Sequence, residues 1–438
     1  SMLSFRPGWG IVGRQPGQEY LYFSTYTSGN SYMNQGSVHP ENIQLKNLKW
    51  EQKKTYNLGV DFGFWNDRIN GNVEVYWQFT SDMLMANYGI PTSSGYPNLR
   101  WQNAGNMKNI GWEFNLNGSR IIQAGKFSAD FNITFANNKN QITSMDETCL
   151  SNLNSEFNRD NGSYLTRVEL NRALGSIYGF RYKGVYQYSH YSETEVKGVS
   201  GPDAPVARDK DGNVILDEHG LTIPMMFCAG SVNYEFCGGD AKYEDINNDG
   251  QINELDIVYL GSSLPKITGG FGFKLNFGRF SWNNQFNFRY GNKIINKARM
   301  DVENMYSNNN QSRAVNWRWR VEGDITEMPR ALRQTGYNYL GSDRFVEDGS
   351  FIRLNYTQLS YSVDPKIIKK WGLSQLSLYL SANNLFVLTK YSGADPEVSY
   401  GSMGIVTDGA KTPRSKSFTG GITIARSEER RVGKECRS

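Results

Sequence analysis

Four times along the chain, two long segments that alternate apolar and polar residues flank a turn. Tyr56, Leu58, Val60, Phe62 and Phe64 alternate with Asn57, Gly59, Asp61 and Gly63. After a turn at 66–71 the pattern resumes, with Val73, Val75, Trp77 and Phe79 set against Glu74, Tyr76 and Gln78. Trp112, Phe114 and Leu116 follow, then Phe127, Ala129, Phe131, Ile133 and Phe135, each run separated by polar residues. The same period returns at Phe271, Phe273, Leu275 and Phe277, from Trp282 to Tyr290, and at Leu376, Leu378 and Leu380. Successive side chains of a strand point to opposite faces, so each run has one apolar and one polar side.

A soluble β-sandwich also alternates. Two features tilt against it. Many of these runs reach about nine residues or more, against about 5–6 for soluble strands and roughly 9–11 for a tilted strand that crosses a bilayer. Aromatics also gather beside the short turns, at Trp65, Phe127, Phe280, Trp282 and Trp371, as an aromatic girdle at one membrane interface would place them. The connections differ by side: tight turns on one, long polar Gly- and Asn-rich loops on the other. The pattern predicts an all-β fold, an antiparallel transmembrane β-barrel portion with long outer loops. Ten strands are expected, at 3–12, 54–65, 72–83, 110–121, 127–142, 267–277, 281–295, 351–363, 375–388 and 417–425, with 144–265 as the largest extracellular segment. Their alternating directions are mutually consistent and bring the last one down to the periplasmic side.

Composition bounds the rest. No apolar stretch approaches the roughly 18 residues of a transmembrane helix, and the start, Ser1-Met2-Leu3-Ser4, is not a signal peptide. The net charge of +4 is spread along the chain and gives no support to nucleic-acid binding. Residues 426–438 break the strand pattern and look like the in-frame translation of a sequencing adapter, carrying five Arg/Lys and three Glu, so two of the four net charges belong to it. Cys436 goes with that tail, and the chain reads as cut at both ends. Cys228 and Cys237 could pair in an oxidising exterior or remain free thiols with Cys149; their spacing does not decide. Catalysis is not expected: only His39, His190 and His219 are available, none beside a nucleophile signature, and Gly-x-Ser-x-Gly is absent.

One local motif carries a mechanism. Asp245-Ile246-Asn247-Asn248-Asp249-Gly250-Gln251-Ile252-Asn253-Glu254-Leu255-Asp256 follows the calcium-loop pattern. Oxygens recur at positions 1, 3 and 5 (Asp245, Asn247, Asp249), Gly250 makes the sharp turn and Gln251 offers a backbone carbonyl. Asp256 stands at position 12, where a longer Glu is usual. A structural Ca²⁺ site is the expectation, with a metal-free Asx turn as the alternative. Asp209-Lys210-Asp211-Gly212-Asn213 starts similarly but has Asp217 out of register, and reads as an ordinary turn. Trp101, Trp317 and Trp319 are candidates for stacking on a solute, as is the Tyr-rich stretch 182–191; loop packing or contact with a partner would account for them equally.

Several stretches together resemble the SusC/RagA family of TonB-dependent outer-membrane transporters. They are Leu3-Ser4-Phe5-Arg6 with Gly10-Ile11-Val12-Gly13, Trp50-Glu51 with Asn57-Leu58-Gly59-Val60-Asp61-Phe62, and Asn103-Ala104-Gly105-Asn106-Met107-Lys108-Asn109-Ile110-Gly111-Trp112-Glu113-Phe114. The final third adds Pro329-Arg330, Ser342-Asp343-Arg344-Phe345-Val346-Glu347-Asp348-Gly349-Ser350-Phe351-Ile352-Arg353-Leu354, Asn383-Asn384-Leu385-Phe386 and Tyr391-Ser392-Gly393-Ala394-Asp395-Pro396-Glu397. The resemblance implies that residues 1–425 are the C-terminal part of a barrel of 22 strands with a plugged lumen, about ten strands of it and open because truncated; the plug, TonB box and signal peptide are likewise absent from this chain. It implies residence in the outer membrane of a Gram-negative bacterium, in contact with its lipid, as a multi-pass protein. It further implies active import of oligosaccharides or peptides, energised by TonB–ExbB–ExbD through the missing N-terminal part, with a SusD-like surface lipoprotein over the outer loops. A soluble or surface glycan-binding β-protein without transport is the alternative.

Overall fold

The alternating runs become one antiparallel sheet of ten strands. The structure, a computed structural model, describes all residues except 1, 18, 33, 34, 97, 155–162, 190–203 and 427–438. The adapter-like tail beyond Arg426, with Cys436, and His190 and Tyr191 therefore lie outside the described residues. The strands are β1 (Met2–Arg14), β2 (Glu51–Phe64), β3 (Ile69–Ser81), β4 (Gly105–Ala124), β5 (Phe127–Met145), β6 (Ile267–Phe277), β7 (Phe280–Tyr290), β8 (Phe351–Ser362), β9 (Leu373–Thr389) and β10 (Ser417–Arg426). Each pairs with its neighbour in sequence, and the order runs from β1 to β10 with those two strands as unpaired edges. The sheet is not closed.

Register sorts the side chains into two faces. One row runs Phe5, Val60, Val73, Phe114, Phe135, Gly269, Phe288, Ile352 and Leu388 across nine strands; on β9 and β10, Leu376 faces Ile424 and Leu378 faces Ile422. This face is greasy and open: Trp77, Trp112, Ile352, Leu378, Leu380 and Leu388 are all exposed. The clusters of buried hydrophobic side chains lie elsewhere, among residues 178–406 of the long connections, and include no residue of this row. Glycine enters the row where space demands it. A Cβ at Gly269 would lie 2.0 Å from the Thr134 carbonyl oxygen and 3.0 Å from the Phe288 ring, which lies across it.

The other face is polar and bonded to itself. Asn57 donates to Glu74 at 3.1 Å, Asn115 to Asn72 at 2.8 Å, Thr134 to Asn115 at 2.8 Å and Asn276 to Ser128 at 3.1 Å. Arg6 forms a two-pronged pair with Asp61. These contacts carry a hydrogen-bonded layer across most of the wall.

Asn284 breaks the alternation. It falls on the greasy face, yet only 1% of it is exposed. Its Oδ1 accepts from Thr357 Oγ1 at 2.7 Å, and that hydroxyl accepts from Trp282 Nε1 at 3.0 Å. A polar residue is tolerated there because neighbours bond and cover it.

Strand ends differ from the sequence reading where the backbone turns left-handed. The strand expected at 281–295 stops at Tyr290, because Gly291 takes φ +82°. Residues Lys293–Asn296 then pair with Val346–Asp348 and Thr407–Asp408 instead. The strand expected at 72–83 starts at Ile69 and ends at Ser81, with Asp82 at φ +54°. The strand expected at 110–121 is longer, spanning Gly105–Ala124.

The four short connections, 65–68, 125–126, 278–279 and 363–372, lie at one end of the sheet. At the other end, the connections 146–266, 291–350 and 390–416 fold into one body with its own core. Tyr178, Phe180, Phe227, Phe236, Ile252 and Leu340 pack in its largest cluster, and a second cluster forms around Met300, Met328, Tyr339 and Phe345. In the first half, the hairpins Thr25–Tyr32/Gln35–Asn42 and Leu84–Gly89/Asn98–Asn103 fill the same end.

If the open face meets hydrocarbon, charge there is costly and charge on the polar face is not. Leu380→Arg should destabilise the wall by about 2–4 kcal/mol, whereas Asn283→Arg on the opposite face should change stability little. Urea unfolding of the full-length receptor in lipid vesicles, followed by heat-modifiable gel migration, separates the two; equal effects would rule out lipid contact.

Candidate functional site

The calcium-like loop lies in the long-loop body, immediately before the edge segment Val258–Ser262 that leads into β6. Gly250 adopts φ +80° at the sixth position, the conformation the sharp turn needs. Asp245 accepts from the backbone N–H of Asn248 at 2.8 Å and of Gly250 at 2.8 Å. Asp249 accepts from Gln251 N–H and from the Asn247 side-chain amide, both at 2.8 Å. Asp256, fully buried, folds back over the start of the loop and accepts from the N–H groups of Ile246 and Asn253 at 2.8 Å each. The shorter side chain at position 12 thus ties the two ends of the loop together. Among the described residues no three His, Cys, Asp or Glu side chains gather as a ready metal cluster. Nevertheless the three carboxylates lie close enough to repel. Burial raises the Asp256 carboxyl to about 6, with Asp245 and Asp249 adding to the effect. Asp245 is raised by burial and, further, by Asp249.

The Asp209 loop is a plain turn. Asp209 accepts from the backbone of Asp211 and Asn213, and Asp217 repeats the arrangement with His219 and Leu221.

The three tryptophans are not brought together. Trp101 is in the hairpin strand Asn98–Asn103 beside Gly17. Trp319 is partly buried and lies over Gly239, where a Cβ would sit 2.3 Å from its ring; it packs the loop. Trp317 projects into water, 75% exposed. In the Tyr-rich stretch, Tyr182 and Tyr186 belong to the core of the long-loop body. Cys228 stands opposite Asn233 in the hairpin Met226–Ala229/Val232–Glu235, while Cys237 lies beyond the far end of that pairing. Both are free thiols, as is Cys149.

The profile described as TonB dependent receptor-like, beta-barrel, matches residues 3–215. TonB-dependent receptor P3 of Formosa agariphila is 28% identical over 391 residues, 86% of this chain and 34% of that protein. TonB-dependent receptor SusC of Bacteroides thetaiotaomicron is 27% identical over 442 aligned positions, 97% of this chain and 37% of that protein. The chain therefore spans little more than a third of the length of these relatives. Among solved structures, the RagAB peptide transporter superposes with a TM-score of 0.69 at 22% identity, over 96% of this chain and 40% of that one. The chain is a portion of a TonB-dependent receptor barrel, SusC/RagA-type by its homologues. Such receptors are transporters and not enzymes, and membership implies the outer membrane of Gram-negative bacteria.

The structure gives the SusC/RagA-type motifs physical work. Asp343 accepts from the Tyr182 backbone N–H at 2.8 Å, joining two distant segments of the long-loop body. Arg344 pairs with Glu303 at 2.9 Å, both almost fully buried. Glu347 accepts from Asn296, Arg299 and Ser392. Arg353, at the loop end of β8 and 4% exposed, pairs with Asp395 and with Glu397 at 3.2 Å, and Arg414 reaches Glu397 at 2.9 Å. The motif Tyr391 to Glu397 thus binds the last long connection to the wall. Asp240, wholly buried, holds Arg330 of the Pro-Arg motif at 2.7 Å and accepts from Tyr234 and from the Cys237 N–H. The spacing of the sequence attaches no role to Asp240, because its charged partner Arg330 lies 90 residues away.

A carboxyl raised by burial favours the protonated folded state. That contribution is complete below about pH 4, the unfolded range, and is lost as pH rises through about 6, where folded Asp256 ionises. In EDTA, the melting temperature of the long-loop body should rise as pH falls from about 7 to about 5, and Asp256→Asn should flatten that rise. Calorimetry of the receptor in detergent reads it; an unchanged slope in the variant would dismiss Asp256 as the source.

Proposed function

We propose that the receptor imports oligosaccharides, or alternatively peptides, across the outer membrane, energised through TonB–ExbB–ExbD. The observation that carries the reading is the two-faced wall. Its apolar side is uncovered by protein, and its opposite side is a continuous layer of hydrogen-bonded Asn, Gln, Ser, Thr and charged groups. A wall of this kind separates hydrocarbon from a watery passage. The short connections face the periplasm and the long-loop body faces outward, where a SusD-like surface lipoprotein covers it. The RagAB structure, that of a peptide transporter, and the SusC relative support this class of function. A glycan-binding protein without transport would bury the apolar face against a second layer, and the wall lacks one among the described residues.

The loop from Asp245 to Asp256 is proposed to hold a structural Ca²⁺. Asp245, Asn247, Asp249 and Asp256 supply side-chain oxygens and Gln251 its carbonyl. Three mutually repelling carboxylates in a partly buried loop favour a divalent cation, which would remove the repulsion. Its part is to stiffen the segment that leads into β6.

Uptake of a labelled oligosaccharide by cells carrying the full-length receptor and its lipoprotein should stop when the proton-motive force is collapsed. Uptake that continues unchanged would remove active transport from the reading. Separately, millimolar Ca²⁺ should raise the melting temperature of the purified receptor, and Asp249→Ala should abolish that rise; an equal rise in the variant would rule out this loop as the site.

A further inference from the structure

The greasy face is not uniform from end to end. Near the long-loop end it holds an open groove of about 780 Å³, lined by Trp112, Phe135, Phe288, Ile352 and Leu388. These side chains come from β4, β5, β7, β8 and β9, with Ile267 of β6 between them. Six adjacent strands at about 4.8 Å spacing make the groove roughly 24 Å broad, wide enough for several hydrocarbon chains side by side. Gly269 shapes its floor: the Phe288 ring lies over that glycine and meets Phe135 edge-on at 5.6 Å.

Positive charge borders the same face at that end. Lys54 and Lys108 stand opposite Phe79 on the two sides of β3, and Lys139 stands opposite Ile110. Lys390 follows Leu388 at the same parity and lines the groove. By the pleat all four belong to the greasy face, beyond the last apolar residue that each strand places there. At the short-turn end, β2 and β5 carry Phe64 and Phe127 on that face instead.

This charge is unanswered by the protein. The lysines that pair with acids among the described residues, Lys183 and Lys297, lie in the long-loop body; the four on the wall are in no such pair. Asp348 is the one acid that lines the groove. Burial would raise its carboxyl, but bonds from Ser350 and the nearby Lys293 and Lys390 hold it below its usual range. One carboxylate already bonded to Ser350 leaves the border positive.

An apolar slot beneath a row of unmatched ammonium groups selects its occupant. Hydrocarbon alone would fill the slot and leave the charge bare. A phosphate offers acceptor oxygens to several ammonium groups at once. Breadth separates the lipids that carry one: a groove six strands wide is filled by a lipid of several chains, and in part by a lipid of two.

We propose that the groove and its lysine border hold a phosphorylated multi-acyl lipid of the outer leaflet, of the lipid A class, with acyl chains against Phe288, Ile352 and Leu388 and phosphates on Lys139 and Lys390. The inference goes beyond the import reading and takes from it the outward direction of the long loops.

The test uses the full-length receptor in detergent. Bisphosphorylated lipid A, its dephosphorylated form, cardiolipin and phosphatidylglycerol are titrated, and retained lipid is counted by native mass spectrometry. Bisphosphorylated lipid A should bind most tightly. Lys139→Gln and Lys390→Gln should each weaken it about fivefold, and together about twenty-five-fold. Ile352→Trp, which fills the groove and leaves the lysines in place, should weaken it as well. Lys366→Gln with Lys370→Gln, at the short-turn end, should leave binding unchanged, with melting temperatures confirming that each variant is folded. The proposal is overturned if phosphate removal costs nothing, if cardiolipin or phosphatidylglycerol binds as well, or if the loop-end variants match the wild type. A lipid-free dimer, with a second copy over the groove, would overturn it too. Solute uptake enters none of these measurements, so the lipid site and the import reading stand or fall separately.

Discussion

The pairing ladder of the ten strands is the constraint on which the rest depends. Within hydrocarbon no water replaces a missing partner, so every backbone N–H and C=O must find one in the protein. Eight of the ten strands are paired on both sides. β1 and β10 each leave one row of donors and acceptors open, and an open row in lipid costs several kcal/mol per group. A sheet with two free edges is therefore a wall that cannot reside in a bilayer by itself. The length of the relatives, of which this chain covers 34–40%, fits a wall that continues. Side-chain chemistry then follows from the ladder, since the pleat sends alternate residues to lipid and to water.

A different solvent governs the long-loop body. Its clusters around Phe227 and Met300 are buried away from water in the ordinary way, and its charges are buried in pairs. Arg344 with Glu303, Arg330 with Asp240, and Arg353 with Asp395 and Glu397 each join segments far apart in sequence. Such pairs lose most of their Coulomb gain to desolvation, so their net stabilisation is small. Removal of one partner is a different matter, because it strands a charge in the interior. The pairs are thus better understood as fixing which connection meets which than as a source of stability.

The wall was legible in the sequence because its signal is local. Period-two alternation needs only the chain neighbours, and it marks the central runs from Tyr56 to Phe135, from Phe271 to Tyr290 and at Leu376–Leu380. The exceptions have local physical reasons. The strand read as 281–295 ends early because Gly291 turns left-handed, and Asn284 sits on the lipid side because Thr357 of the neighbouring strand donates to it. The long connections were opaque for the same reason in reverse. Tyr178, Phe227, Ile252 and Leu340 follow no period and meet only in space. The loop at Asp245 to Asp256 lies between these cases. Its spacing revealed the turn, but only coordinates place the Asp256 carboxylate on the backbone of Ile246 and Asn253.

The junction between the two solvents falls at the loop end of β8. Phe351 and Arg353 there point away from the greasy face, and Arg353 is buried among acids of the last long connection. Ile352 between them is exposed on the lipid side. One tripeptide thus belongs to both environments, and its alternation, continued one residue past the membrane, docks the outer body on the wall. A flexible tether would let the outer body drift over the passage. A buried cation held by two carboxylates fixes its position instead, because any displacement exposes an unpaired charge to a medium that cannot solvate it.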